Sequence, residues 1–129
     1  MSGVLLDSSV LIDILRGHRA ALDYVLGLGT VPAASEITRV EVLRGVRSGE
    51  RRMTERLLGS LRWIPLDAPI ARGAGELGRR WRASHRTLAT ADLVIAATAL
   101  EHELDLATLN IRHFPMFDGL APPYVAAAG

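Results

Sequence analysis

Three carboxylates occupy positions that ordinary packing does not explain. Asp7 follows the apolar run Val4–Leu6, Glu41 lies on or beside the buried stripe of a predicted helix, and Asp92 opens an alanine-rich helix. Carboxylates placed close together repel one another and ionise readily only when a cation lies between them. Oxygen ligands favour hard ions such as Mg²⁺ or Mn²⁺ over zinc. If folding brings these acids together, we expect them to form a binding site for a divalent metal ion.

Neutral oxygen donors occur near the same places. Asn110 follows the apolar segment 106–109 and offers a carbonyl oxygen as a ligand or a water acceptor, while Ser9 and Thr108 offer hydroxyls. Plainer interpretations stay open, because Ser9 could cap a helix and Thr108 could be an ordinary strand residue. Asp7 and Asp92 could be first-turn acids that a helix dipole favours. Glu41 could be an exposed acid that pairs with a nearby arginine.

Apolar segments of strand length alternate with amphipathic segments of helix length. We predict strands at 3–7, 30–34, 63–66 and 106–109, and a weaker edge strand at 120–125 that contains two prolines. We predict helices at 10–16, 19–28, 36–46, 50–61, 69–85 and 91–103, with Ser8 or Ser9, Ser35, Asp67 and Thr90 as caps. This alternation predicts an α/β domain with a mainly parallel sheet, in which ligands bind at the carboxyl ends of the strands.

Composition narrows the class of protein. A chain of 129 residues with 49% hydrophobic residues is expected to form a single domain over 1–129. The absence of cysteine excludes disulfides, thiolate zinc sites and cysteine nucleophiles, and the absence of lysine excludes P-loop ATPases and Schiff-base enzymes. No apolar run is long enough to span a membrane, and no signal-peptide pattern is present, so we expect a cytoplasmic protein without a membrane partner.

The net charge of +1 conceals a basic middle section. Residues 39–86 carry twelve arginines against five acids, whereas both flanking sections are net negative. Such a section can offer an arginine surface to a polyanion, or its arginines can simply solvate the outer faces of helices. The four histidines show no metal-binding spacing, so we expect them at the surface or in ordinary hydrogen bonds.

Four blocks in a fixed order carry a family resemblance. They are Leu6–Asp13 (LDSSVLID), Ser35–Gly45 (SEITRVEVLRG), Ala91–Ala99 (ADLVIAATA) and Ala107–Phe114 (ATLNIRHF). Their order and spacing resemble the PIN-domain family and, within it, the VapC toxins of bacterial toxin–antitoxin pairs. The likeness extends from about Leu5 to Leu120, which is nearly the whole chain.

The resemblance implies a PIN-like α/β fold, with a parallel sheet of four or five strands flanked by helices. It also implies an endoribonuclease that depends on Mg²⁺ or Mn²⁺ and leaves 5′-phosphate and 3′-hydroxyl ends. By position, Asp7, Glu41 and Asp92 match the family's acidic metal-site residues, and Ser9 and Thr108 match its supporting hydroxyls. Asn110 stands at a fourth catalytic position that is often aspartate, and the missing charge weakens the expectation of a second metal.

On this hypothesis Asp7 and Asp92 hold the ion, and Glu41 completes the cluster and orients or deprotonates the attacking water. RNA backbone contacts are expected from some of the arginines of the basic section, namely Arg39, Arg44, Arg47, Arg51 and Arg52. The resemblance further implies a homodimer and a cognate VapB-like antitoxin. The C-terminal segment of such an antitoxin would block the acidic site, and an arginine in it would pair with these carboxylates.

Alternatives of other classes remain open. The chain could be a non-catalytic PIN-like module that binds nucleic acid, or a nuclease of the same fold that cuts DNA. A phosphatase of the haloacid dehalogenase type is disfavoured, because Ser9 stands where that chemistry needs a second acid and the usual lysine is absent.

Overall fold

The computed structural model describes residues 3–85 and 88–127. Four strands of three residues each form its sheet: β1 (Val4–Leu6), β2 (Ala33–Ser35), β3 (Arg62–Ile64) and β4 (Asp105–Ala107). The helices in these residues are α1 (Ser8–Leu15), α2 (Arg19–Leu26), α3 (Glu36–Arg44), α4 (Arg51–Leu58), α5 (Ala68–Trp81) and α6 (Thr90–Glu101). A single 3₁₀ turn, Ile111–His113, follows β4.

The strands are ordered β3-β2-β1-β4, and all three pairings are parallel. The predicted α/β class with a parallel sheet flanked by helices is confirmed, with four strands. The predicted edge strand at 120–125 is wrong, because that segment has no strand structure. Pro122 and Pro123 cannot donate to a strand ladder, and Tyr124 instead donates a 2.7 Å hydrogen bond to Asp13 of α1.

Successive residues of the inner strand β1 belong to two separate hydrophobic clusters. Leu5 packs in one cluster with Ile70 of α5 and Ile95 of α6. Leu6 packs in the other with Leu11 of α1 and Leu58 of α4. Successive side chains of a strand point to opposite faces, so the helices cover both faces of the sheet.

Two of the predicted helix caps are confirmed and two are wrong. The side chains of Ser35 and Asp67 accept hydrogen bonds from backbone N–H groups at the starts of α3 and α5. The helices α1 and α6 begin at Ser8 and Thr90 themselves, and neither N-cap residue makes a side-chain cap bond. At α1 the reason is that the Ser9 hydroxyl donates to Asp7 instead of capping the backbone.

The strand order places a crevice at one end of the sheet. From β1 the chain adds β2 and β3 on one side, and it then returns to place β4 on the other side of β1. In open parallel sheets, ligands bind beyond the carboxyl ends of the strands at such a reversal. The residues that follow β1 and β4 therefore define the place to look for a site.

None of the helices within the described ranges has the length and apolarity that crossing a bilayer requires.

Candidate active site

Asp7 lies at the carboxyl end of β1, directly beside β4. Its backbone N–H donates to the carbonyl of Ala107 at 2.9 Å, which extends the β1–β4 pairing by one residue. The residue is only 2% exposed. It occupies the N-cap position of α1, yet its carboxylate makes no cap hydrogen bond. The side chain is therefore buried at the crevice without serving the helix as a hydrogen-bonded cap.

Two hydroxyl groups orient the Asp7 carboxylate. Ser9 Oγ donates to Oδ2 at 3.0 Å, and Thr108 Oγ1 donates to the same oxygen at 2.7 Å. Each hydroxyl in turn accepts a hydrogen bond from a backbone N–H of the loop after β4. The N–H of Leu109 donates to Ser9 Oγ at 3.1 Å, and the N–H of Asn110 donates to Thr108 Oγ1 at 3.0 Å. This network ties the β1–α1 junction to the β4 loop and places Asn110 next to Asp7.

Glu41 faces the same region from helix α3. Burial raises the pKa of its carboxyl, and the negative charges of Asp7 and Asp92 raise it further, while the Ser8 hydroxyl and the Arg44 charge lower the pKa. Within the described residues, its buried Oε1 has no hydrogen-bond partner. A buried carboxylate oxygen without a donor is unfavourable unless a cation or a water satisfies it.

Asp92 lies in the first turn of α6 and is paired with His113 of the 3₁₀ turn. The Asp92 Oδ2 and His113 Nδ1 atoms are 3.2 Å apart. Burial raises the pKa of Asp92, and the negative charge of Asp7 also raises it, whereas the His113 contact lowers this pKa. Asp92 is thus a half-buried acid that one imidazole partly neutralises.

The structure brings the predicted acids into one electrostatic neighbourhood. Glu41 responds to the charges of Asp7 and Asp92, and Asp92 responds to that of Asp7, although the three come from different elements. Among residues 3–85 and 88–127, no three acidic or imidazole side chains converge closely enough to enclose a metal ion by themselves.

The candidate RNA-binding arginines differ in their surroundings. Arg39 is already engaged, since its Nε and Nη2 donate to Glu36 at 2.6 and 3.1 Å and its guanidinium lies 4.0 Å from the centre of the Trp63 ring. Arg44 is close enough to lower the pKa of Glu41. Three further arginines are exposed at the surface: Arg47, Arg51 and Arg52. Arg44 is thus the member of this set with an electrostatic link to the acids.

Sequence reasoning missed His113 as a neighbour of the acids. The histidine spacings showed no metal pattern, and Asp92 lies 21 positions earlier in the chain. The available signal was its position, since His113 follows Asn110 in the loop at the carboxyl end of β4. Asp13 of α1 is partly buried and accepts the hydrogen bond of the Tyr124 hydroxyl.

The sequence matches the PIN domain family over residues 4–119. The chain belongs to the PIN-domain family. This PIN domain is 46% identical to ribonuclease VapC10 of Mycobacterium tuberculosis, over 94% of its own length and 92% of the relative's. It is 44% identical to ribonuclease VapC19 of the same organism, over 93% and 98% of the two chains. The predicted resemblance to PIN-domain proteins of the VapC type is confirmed.

A solved structure supports the same family assignment for the fold. The PIN domain superposes with a TM-score of 0.82 on a chain of a toxin–antitoxin complex from Klebsiella pneumoniae. The two chains are 29% identical, and the match covers 95% of this chain and 98% of the other. The fold is therefore shared over nearly the whole of both chains.

Proposed function

We propose that this PIN domain is a divalent-metal-dependent endoribonuclease and the toxin of a VapBC-type toxin–antitoxin pair. The observation that carries the proposal is the buried Asp7 carboxylate, which two hydroxyls hold at the switch point of the sheet next to two further acids. The ribonuclease names of relatives with more than 40% identity support RNA as the substrate. We further propose that 1–129 is one PIN domain that acts on cytoplasmic RNA.

The residues present fit a hard divalent cation. Every candidate ligand is an oxygen, from Asp7, Glu41, Asp92 or Asn110, and Glu41 Oε1 lacks a partner among the described residues. Asp7 and Asp92 would hold Mg²⁺ or Mn²⁺, with Glu41 completing the set directly or through water. When bound, the cation supplies positive charge against the phosphoryl oxygens and lowers the pKa of nearby water.

The chain's own groups supply positioning and proton transfer. Ser9 and Thr108 fix the rotamer of Asp7, so that its free oxygen has a defined direction. Glu41 Oε1 is buried and has no hydrogen-bond partner among the described residues, so it can accept a proton from a water molecule. We assign to Glu41 Oε1 the role of accepting the proton of the attacking water. Arg44 and the exposed arginines beyond it would bind the RNA backbone.

The partners proposed are a second copy of the chain and a VapB-like antitoxin. The antitoxin is supported by the structural match to a chain of the Klebsiella toxin–antitoxin complex. Helix α3, which carries Glu41, exposes Val40 and Leu43, and helix α4 exposes Met53; these side chains are 58%, 43% and 50% accessible. An apolar surface beside an acid cluster suits a partner segment that carries both apolar residues and an arginine.

The test is cleavage of RNA by the purified chain. Cleavage is expected with Mg²⁺ or Mn²⁺ and not with EDTA, and Asp7→Asn should lower the rate by more than about 100-fold. The matched control is Glu101→Gln, an exposed acid on the helix that carries Asp92. Expression of the chain alone should arrest growth, and co-expression of the small neighbouring gene should relieve the arrest. Cleavage that persists in Asp7→Asn within a few-fold of the parent rate would refute the proposed site.

A further inference from the structure

A cavity of about 470 Å³ opens beside the acid cluster. Its walls come from His85 and Leu88, which follow α5, and from the loop after β4, with Asn110, Ile111, Arg112 and His113. The volume falls in the range of about 300–1,000 Å³ that is typical of small-ligand pockets. Four of the cavity's residues have no role in the reaction proposed above: His85, Leu88, Ile111 and Arg112.

The cavity is connected to the acids through one direct contact and one hydrogen-bond relay. His113 Nδ1 lies 3.2 Å from Asp92 Oδ2. On the same wall, the backbone N–H of Asn110 donates to Thr108, whose hydroxyl donates to Asp7. Two residues of the cavity wall are therefore linked to two of the acids.

The lining chemistry matches a nucleobase better than a phosphate alone. The imidazoles of His85 and His113 offer flat surfaces for stacking, and Leu88 and Ile111 add apolar contact. The Asn110 amide carries both donors and an acceptor, as the edge of a base requires. A site that recognised only phosphate would not need this apolar and aromatic part.

The His85 ring is held in position before any ligand arrives. Its centre lies 5.4 Å from that of Trp81 in an edge-to-face arrangement at 70°, and its Nδ1 lies 2.9 Å from Ser84 Oγ. Trp81 itself packs against the hydrophobic core. A stacking surface fixed in this way loses little side-chain entropy when a base binds.

A positive charge lies at the cavity wall. Arg112 is exposed there, and it forms no salt bridge with any acid of residues 3–85 and 88–127. Arg80 and Arg82 are exposed on the segment that leads to His85. An exposed guanidinium at the cavity suits a single strand whose backbone passes the cavity while one base turns inward.

We propose that this cavity is a nucleobase-binding subsite, which takes the unpaired base next to the scissile phosphate and thereby sets the nucleotide preference of cleavage. The inference rests on the proposed ribonuclease function for its biological meaning. Binding itself requires neither metal nor cleavage, so the subsite can be tested separately.

The test uses Trp81 as a reporter, because it touches His85 and the chain has only two tryptophans. In a Trp63→Phe background with EDTA, the four ribonucleoside 5′-monophosphates, ribose 5-phosphate and inorganic phosphate are titrated while Trp81 fluorescence is recorded. At least one nucleotide should bind about tenfold or more tightly than ribose 5-phosphate, which is the size of effect that base stacking gives. Equal binding of nucleotides and ribose 5-phosphate, or no fluorescence change with any probe, would overturn the proposal.

Variants separate stacking from general damage. His85→Ala should reduce the preference for the nucleotide over ribose 5-phosphate to less than about threefold. His85→Phe keeps a flat ring and should retain the preference, and His102→Ala, at the exposed end of α6, should leave it unchanged. A preference that survives in His85→Ala would contradict the assignment.

Cleavage mapping then distinguishes the two proposals. In His85→Ala the ratio of kcat/KM between preferred and disfavoured cleavage sites should fall about tenfold, whereas His102→Ala should keep the parent ratio. Selective nucleotide binding by a chain that cuts no RNA would refute the proposed function and leave the subsite standing. RNA cleavage with an unchanged site preference in His85→Ala would refute the subsite and leave the nuclease standing.

Discussion

The hydroxyl of Thr108 donates a 2.7 Å hydrogen bond to Oδ2 of Asp7, a residue that lies 101 positions earlier in the chain. Both side chains are buried, Thr108 completely and Asp7 to within 2%. The same hydroxyl accepts the N–H of Asn110. One threonine therefore connects the strand that carries the first acid to the loop that carries the fourth candidate residue.

Replacing this threonine should weaken both the fold and the site. Thr108→Val removes the hydroxyl with little change in shape and leaves the Asn110 N–H and one oxygen of Asp7 without this partner. We expect the free energy of unfolding, as measured by urea denaturation, to fall by about 1–3 kcal/mol. The rate of RNA cleavage should fall as well. Thr108→Ser keeps the hydroxyl and should stay closer to the parent in both measurements. A loss in Thr108→Ser with none in Thr108→Val would show that the methyl group, not the hydrogen bond, matters, and would contradict this prediction.

The raised pKa of Glu41 predicts that the metal-free protein becomes less stable as pH increases. Burial and the charges of Asp7 and Asp92 raise this pKa in the folded state, so the folded chain binds the proton more tightly than the unfolded chain does. Stability then falls as pH rises from the unfolded pKa of about 4.3 to the raised folded value, and the loss persists above it.

Glu41→Gln removes that ionisation. In EDTA at pH 7 we expect this variant to melt at a higher temperature than the parent, and the difference should shrink as pH approaches 4. Glu101→Gln, on an exposed position of α6, should show no such gain. A lower melting temperature of Glu41→Gln at pH 7 in EDTA would contradict the unfavourable burial of this carboxylate.

His113 should influence the pH at which Asp92 loses its proton and can bind a metal ion. The imidazole lies 3.2 Å from Asp92 and lowers the pKa of that carboxyl, so its removal should raise the pKa. We therefore expect the acidic limb of Mn²⁺ binding to move to higher pH in His113→Ala, with affinities that converge towards the parent at pH 8. Titrations between pH 5 and pH 8 measure this shift, with His102→Ala as the control. A shift towards lower pH would contradict the assigned interaction.

The crossing of α5 and α6 offers a matched pair of glycine variants. A methyl group at Gly78 would meet Leu93 Cδ1 at 3.0 Å, whereas a methyl group at Gly75 would meet no atom within 4 Å. Alanine is favoured over glycine within a helix by about 1 kcal/mol. Gly75→Ala should raise the free energy of unfolding by about that amount, and Gly78→Ala should gain less or lose stability. Because Leu93 adjoins Asp92, Gly78→Ala should also weaken metal binding. Equal stabilisation by the two variants would refute the close packing of Gly78 against Leu93.

The sequence predicted the class of fold well because its signals are local. Apolar runs bounded by turns placed the four strands to within a few residues, and Ser35 and Asp67 capped the helices that they were expected to cap. The strand predicted at 120–125 failed because periodicity does not reveal that the Tyr124 hydroxyl binds Asp13. That contact depends on tertiary structure.

The candidate site was predictable only in part for the same reason. The acids stood out because each interrupts an apolar segment, and the strand-end rule placed Asp7 and Asn110 at one edge. His113 gave no signal except its position after Asn110, since its partner Asp92 is 21 residues away. The contacts of Arg39 with Glu36 and Trp63 could not be predicted either, because a count of arginines does not show which of them interact with other side chains of the chain.

The most direct test of the account is calorimetric titration of Mn²⁺ into the parent, Asp7→Asn, Glu41→Gln, Asp92→Asn and Glu101→Gln. The three site variants should each lose at least about tenfold in affinity, the effect expected when a ligand or its supporting group is removed, while Glu101→Gln binds as the parent does. Parent-like affinity in all three site variants would contradict the claim that these carboxylates share one cation.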